Sequence, residues 1–146
     1  MTRRPPADMG ASAFNRLKAL TRSPGQDFNL TLIRYACERL LYRLSRSPHS
    51  RSFMLKGATL FVVWEEEPHR ATRDIDLLGF GEDSAERLRA VFADICRQEV
   101  QDDGVRFDPH SVSVSDILEG QTYQGKRMHV GGTLGTATLS VQVDIG

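Results

Sequence analysis

From Thr136 to Ile145 the chain alternates: Ala137, Leu139, Val141, Val143 and Ile145 are apolar, and the residues between them are mostly polar. A period of two places all five on one side of an extended strand, so the segment needs a core on one face and something else on the other. Two other stretches keep a different period. Leu32, Ile33, Ala36, Cys37, Leu40, Leu41 and Leu44 recur at helical spacing between Asp27 and Ser47-Pro48. Leu88, Val91, Phe92, Ile95 and Cys96 do the same between Ala85 and Val100. Each is the apolar stripe of an amphipathic helix packed on a core.

The remaining segments fit around these. Ala11 to Thr21 reads as a short helix ended by Ser23-Pro24-Gly25. Ser52 to Leu55 reads as a buried strand, and Leu60 to Trp64 as an apolar helix closed by Glu65-Glu66-Glu67-Pro68. Thr72 to Phe80 is strand-like. Val112, Val114 and Ile117 alternate, Tyr123 to Lys126 reads as a turn, and Arg127 to Gly132 as a further strand. The order α-α-β-α-β-α-β-β-β predicts an α+β domain with N-terminal helices and a small mixed β-sheet. At 146 residues this is one domain, expected over residues 11–146 behind a frayed lead-in, residues 1–10.

With 40% apolar and 26% charged residues the chain can bury a core, which excludes a disordered tail. No stretch approaches the roughly 20 apolar residues of a membrane helix, so no membrane association is expected, and Met1 to Pro6 lacks the apolar run of a signal peptide. Cys37 and Cys96 are too few for a disulfide framework and wrongly spaced for zinc, which points to a reducing, cytoplasmic setting. Net charge is zero, yet residues 1–56 carry eleven Lys or Arg against three acids, leaving eight against sixteen for the rest. That dipole fits a basic flank for a polyanion beside an acidic pocket. It fits equally well two halves that pair with each other or solvate the surface.

The chemistry-bearing segment is Arg70-Ala71-Thr72-Arg73-Asp74-Ile75-Asp76-Leu77-Leu78. In a strand, Asp74 and Asp76 share one face while Ile75 and Leu77 enter the core. Two like charges there need compensation. A hard divalent cation such as magnesium would supply it, as would pairing with Arg70 or Arg73. Asp144 stands in the otherwise apolar Val141-Gln142-Val143-Asp144-Ile145, where an unpaired buried charge is costly. If that strand lies beside the first, three acids converge, a set able to hold two metal ions for phosphoryl transfer. Otherwise Asp144 faces water at an edge. Phe53-Met54-Leu55-Lys56-Gly57-Ala58-Thr59-Leu60 joins a strand to a helix through small residues. Backbone N–H groups and the helix end there suit an anion, with Lys56 and Thr59 beside Gly57, although the spacing is not that of a P-loop. His49, His69, His110 and His129 show no ligand spacing. Trp64 and the phenylalanines sit at core positions. Lys126 and Arg127 belong to a hairpin, either solvated or against a nucleic-acid backbone.

In their order, these pieces resemble the AbiEii/AbiGii toxin family, nucleotidyltransferases of the DNA polymerase β-like superfamily and the toxin half of type IV toxin–antitoxin and abortive-infection systems. The likeness rests on Phe53 to Leu60, Arg70 to Gly81 and Val141 to Gly146, with Asp27 to Leu30 and Arg34 to Leu44 resembling an N-terminal helix, and it runs from about residue 12. The resemblance implies magnesium-dependent transfer of a nucleotide from an NTP to an RNA acceptor, the tRNA 3′ end being the leading candidate, with a cognate antitoxin as partner. It implies that Asp74, Asp76 and Asp144 bind two Mg2+ ions and carry the catalysis. Lys56, Gly57, Ala58, Thr59 and Arg73 would hold the triphosphate, although relatives often carry Gly or Ser where this chain has Ala58, which supplies no hydroxyl. The family continues past the third aspartate with a mostly helical C-terminal half, which this chain is expected to lack. Two alternatives follow: a truncated, non-catalytic remnant that binds nucleotide or antitoxin, and a sugar-nucleotide glycosyltransferase, which also uses Asp-x-Asp but needs a larger domain.

Overall fold

The computed structural model describes residues 8–20, 28–55 and 74–146. Among them are three α-helices, α1 (Met9–Leu20), α2 (Phe28–Arg46) and α3 (Ala85–Arg97). Six strands follow the same chain order: β1 (Phe53–Leu55), β2 (Asp74–Gly79), β3 (Val105–Phe107), β4 (Ser113–Glu119), β5 (Thr122–Leu134) and β6 (Ala137–Ile145). They form one mixed sheet in the order β1-β2-β6-β5-β3, with β4 also paired to β5. The β2–β6 ladder is parallel and every other pairing is antiparallel. The α+β class expected from the sequence is thus the observed one.

The alternating residues of β6 set the layering. Leu139, Val141, Val143 and Ile145 are buried, and so are Met128, Val130 and Leu134 of β5 and Ile75 and Leu77 of β2. Leu32, Ala36, Leu40 and Leu44 of α2 and Leu88, Val91, Phe92, Ile95 and Cys96 of α3 join them in one core. Phe92 meets Phe53 of β1 edge-on at 5.6 Å, and Phe14 of α1 meets Phe28 of α2 at 5.2 Å. Ser84 caps α3 by accepting the Arg87 N–H. Asp8 does the same for α1 through the Ala11 N–H, so that helix starts two residues before the expected Ala11.

The charge dipole is resolved in part by internal pairing. Arg43 of α2 donates both Nη groups to the Asp103 carboxylate, at 2.8 and 3.0 Å, and Arg39 Nε donates to it at 2.6 Å. Arg43 Nη2 also reaches the Val105 carbonyl, while Tyr35 donates to the Asp103 carbonyl. These bonds fasten the basic helix to the acidic loop before β3. His49 faces Asp94 across the same divide at 3.2 Å.

Three expectations change. β3 was not foreseen: Val105-Arg106-Phe107 is too short to show a period, and it forms because β5 extends far enough to pair with it. The turn placed at Tyr123 to Lys126 lies instead at Gly120 and Gln121. The β4–β5 register shifts between Ile117 and Leu118, so Gly125 marks a bulge inside β5 rather than a reversal. α3 stops at Arg97, where Gln98 caps it. The helix expected at Leu60 to Trp64 lies outside the described residues.

Candidate active site

The side of the sheet opposite the core is built by parity. Since Ile75 and Leu77 are buried, Asp74 and Asp76 face the other way, and since Val143 and Ile145 are buried, so do Gln142 and Asp144. The parallel register sets Asp76 directly beside Asp144 and Asp74 beside Gln142. Residues paired across a ladder share a face, so all three acids lie on one side. The antiparallel register of β5 adds Arg127 beside Asp144 and His129 beside Gln142. β4 then adds Ser115 beside Arg127 and Ser113 beside His129. The result is two transverse rows, Asp76–Asp144–Arg127–Ser115 and Asp74–Gln142–His129–Ser113.

Arg127 and Asp144 form a two-pronged ion pair. Nε donates to Oδ1 at 3.0 Å and Nη2 to Oδ2 at 3.1 Å. The Arg127 side chain is 41% exposed and that of Asp144 20%. Asp144's hydrogen bond and charge push the Arg127 pKa up, and the charges of Asp74 and Asp76 add to the effect, so all three acids act on one guanidinium. His129 Nε2 lies 3.2 Å from Gln142 Oε1, a donor contact when that nitrogen carries its proton. Cys37 is no nucleophile: burial, then the charge of Asp74, pushes its thiol up to about 12. Burial likewise pushes Cys96 up to about 11, and neither cysteine is in a disulfide.

In kind, the acids fit a hard cation, because carboxylate oxygens are the preferred donors of magnesium. Backbone register also sets them on one face. The side chains as placed are in a different arrangement: among the described residues no three His, Cys, Asp or Glu groups converge closely enough to hold a metal ion. Both oxygens of Asp144 are taken by Arg127. Lys56, Gly57, Ala58, Thr59 and Arg73 lie outside the described residues; of the eight expected site residues, Asp74, Asp76 and Asp144 share one face of the sheet. Arg127 is the one that sequence reasoning passed over as a hairpin residue. Its signal was parity: it falls on the polar face of its strand, between the buried Met128 and the bulge.

An α+β sheet that carries an Asp-x-Asp strand in parallel with a strand bearing a third aspartate, all on the face opposite its core, is the frame expected of a nucleotidyltransferase. The chain belongs to the family described as nucleotidyl transferase AbiEii toxin, type IV toxin–antitoxin system, whose model matches residues 39–146. The match starts in the middle of α2 and spans the whole sheet, all three aspartates and Arg127. No curated protein matches the chain. The protein is therefore a nucleotidyltransferase-family toxin, which acts on a nucleotide and has an antitoxin as its counterpart. Among the described residues no helix is long and apolar enough to cross a membrane.

Proposed function

We propose that this toxin transfers a nucleotide from an NTP to a hydroxyl of RNA, with the tRNA 3′ end as acceptor, and that Asp74, Asp76 and Asp144 are the acids that do it. The observation that carries the reading is the β2–β6 register, which makes Asp76 and Asp144 lateral neighbours with Asp74 on the same face. In the reaction, the acceptor oxygen bonds to the α-phosphorus, the bond from that phosphorus to the bridging oxygen breaks, and pyrophosphate leaves. The hydroxyl proton passes to a base or to water.

Electrostatics favours a cation in this site. Three carboxylates share this face of the sheet, with Arg127 on Asp144. A triphosphate is itself anionic and would be repelled by such a face. Asp74, Asp76 and Asp144 would hold two Mg2+ ions, which when bound neutralise the triphosphate and the leaving group. Lys56, Gly57, Ala58, Thr59 and Arg73 would hold the triphosphate beyond them, with backbone N–H groups and cations as the means. A non-catalytic module that binds nucleotide or antitoxin is the second reading; the engagement of both Asp144 oxygens by Arg127 favours it.

The test is incubation of the protein with labelled NTPs, Mg2+ and tRNA. Label enters the tRNA with the native protein and is lost with Asp76→Ala, while circular dichroism stays native. Labelling that survives Asp76→Ala refutes the chemistry. An absence of labelling alongside measurable nucleotide binding supports the second reading.

A further inference from the structure

A two-pronged ion pair on the acid face joins Asp144 to a residue from a different strand. Arg127 approaches from β5 because the antiparallel register makes the two residues direct partners, and the guanidinium fork matches both carboxylate oxygens. The same register leaves its far neighbour, Ser115, as a hydroxyl, so the nearest charge across the ladder is that of Asp144. A guanidinium and a divalent cation that seek the same oxygens oppose each other twice, by occupying them and by like charge.

Resting on the metal-dependent reading above, we propose that Arg127 is a positioning residue for the acid site: it holds Asp144 in the cation-free protein and yields that carboxylate when the cation binds. Arg127 thus stands in for part of the cation's charge. It relieves repulsion between Asp144 and Asp76 while no ion is there, and it sets how readily an ion enters. Its side chain is 41% exposed, so a side-chain rotation lets it leave.

Calorimetric titration of Mg2+ into the native protein, Arg127→Gln, Arg127→Lys and Asp144→Asn tests this without any turnover. Arg127→Gln should bind Mg2+ about tenfold more tightly than native, and Arg127→Lys should fall between them, since it keeps the charge and loses the fork. A residue that only braces the fold would lower thermal stability and leave Mg2+ affinity unchanged. Native-like or weaker affinity in Arg127→Gln overturns the proposal, while loss of binding in Asp144→Asn in the same series leaves the metal reading standing. If native protein binds no Mg2+, the metal reading and this proposal fail together. A second measurement avoids substitutions: the Arg127 Nε–H resonance in the native protein should move toward the position of a solvated arginine as Mg2+ is added, with the midpoint of the calorimetric curve. A resonance that stays put while Mg2+ binds overturns the proposal.

Discussion

Asp76 and Asp144, sixty-eight positions apart in the chain, are lateral partners on neighbouring parallel strands. Asp144→Asn removes one charge of that pair and one acceptor of Arg127 while keeping the shape. Nucleotide transfer is expected to fall at least about a hundredfold, the scale of losing an electrostatic group at a phosphoryl centre. Stability by urea denaturation should change by no more than about 1 kcal/mol, because the ion pair is partly exposed. An equal loss of stability and activity would mark Asp144 as structural.

Asp103 stands at the opposite extreme. Its side chain is 8% exposed and that of Arg43 6%, and the carboxylate also accepts from Arg39 and the Val105 N–H. Asp103→Ala leaves the buried Arg43 guanidinium and the partly exposed Arg39 guanidinium without this carboxylate acceptor. The expected loss is about 3 kcal/mol or more, measured by chemical denaturation. A change below about 1 kcal/mol would show that the network adds little.

The same carboxylate predicts a pH dependence. Burial pushes the Asp103 pKa up, but hydrogen bonds from Arg43, then Arg39 and the Val105 N–H, more than reverse this and hold it below the ordinary 3.8. The folded protein therefore binds this proton more weakly than the unfolded chain does. The stabilisation is fully present above pH 3.8 and is lost as pH falls through the lowered folded value. Asp103→Asn should flatten the stability curve below pH 3.8, as followed by denaturation at a series of acid pH values. A slope equal to that of the native protein would contradict this assignment.

Gly125 has φ of +134°, and a Cβ there would overlap the Ile145 carbonyl oxygen. The bulge it forms lies two residues before Arg127, next to the end of β6. Gly125→Ala should cost about 2 kcal/mol or more through backbone strain and collision. Gly120, at φ +62° with open space around it, should accept Asn with a loss below about 1 kcal/mol. Thermal melts of the two variants make the comparison, and equal losses would contradict it.

Local period carried much of this structure. The stripes of α2 and α3 and the alternation of β6 were legible, because each element buries one face of its own. The shared face of Asp74 and Asp76 followed from Ile75 and Leu77 in the same way. Pairing between distant strands was not legible from period: that β6 lies beside β2, and not at an edge, came from family resemblance rather than from the residues. Gly125 misled because glycine serves a bulge as readily as a turn. Arg127 was missed because its partner is seventeen residues away, joined to it only by the β5–β6 register.

Amide NMR with substoichiometric Mn2+ in place of Mg2+ tests the central claim most directly. Paramagnetic broadening should centre on residues 74–76 of β2 and 142–144 of β6 and fade within a few residues along each strand. Asp144→Asn should weaken it. Broadening centred elsewhere, such as on the acidic loop at Asp102 and Asp103, or none at all, would contradict a cation site built from these three aspartates.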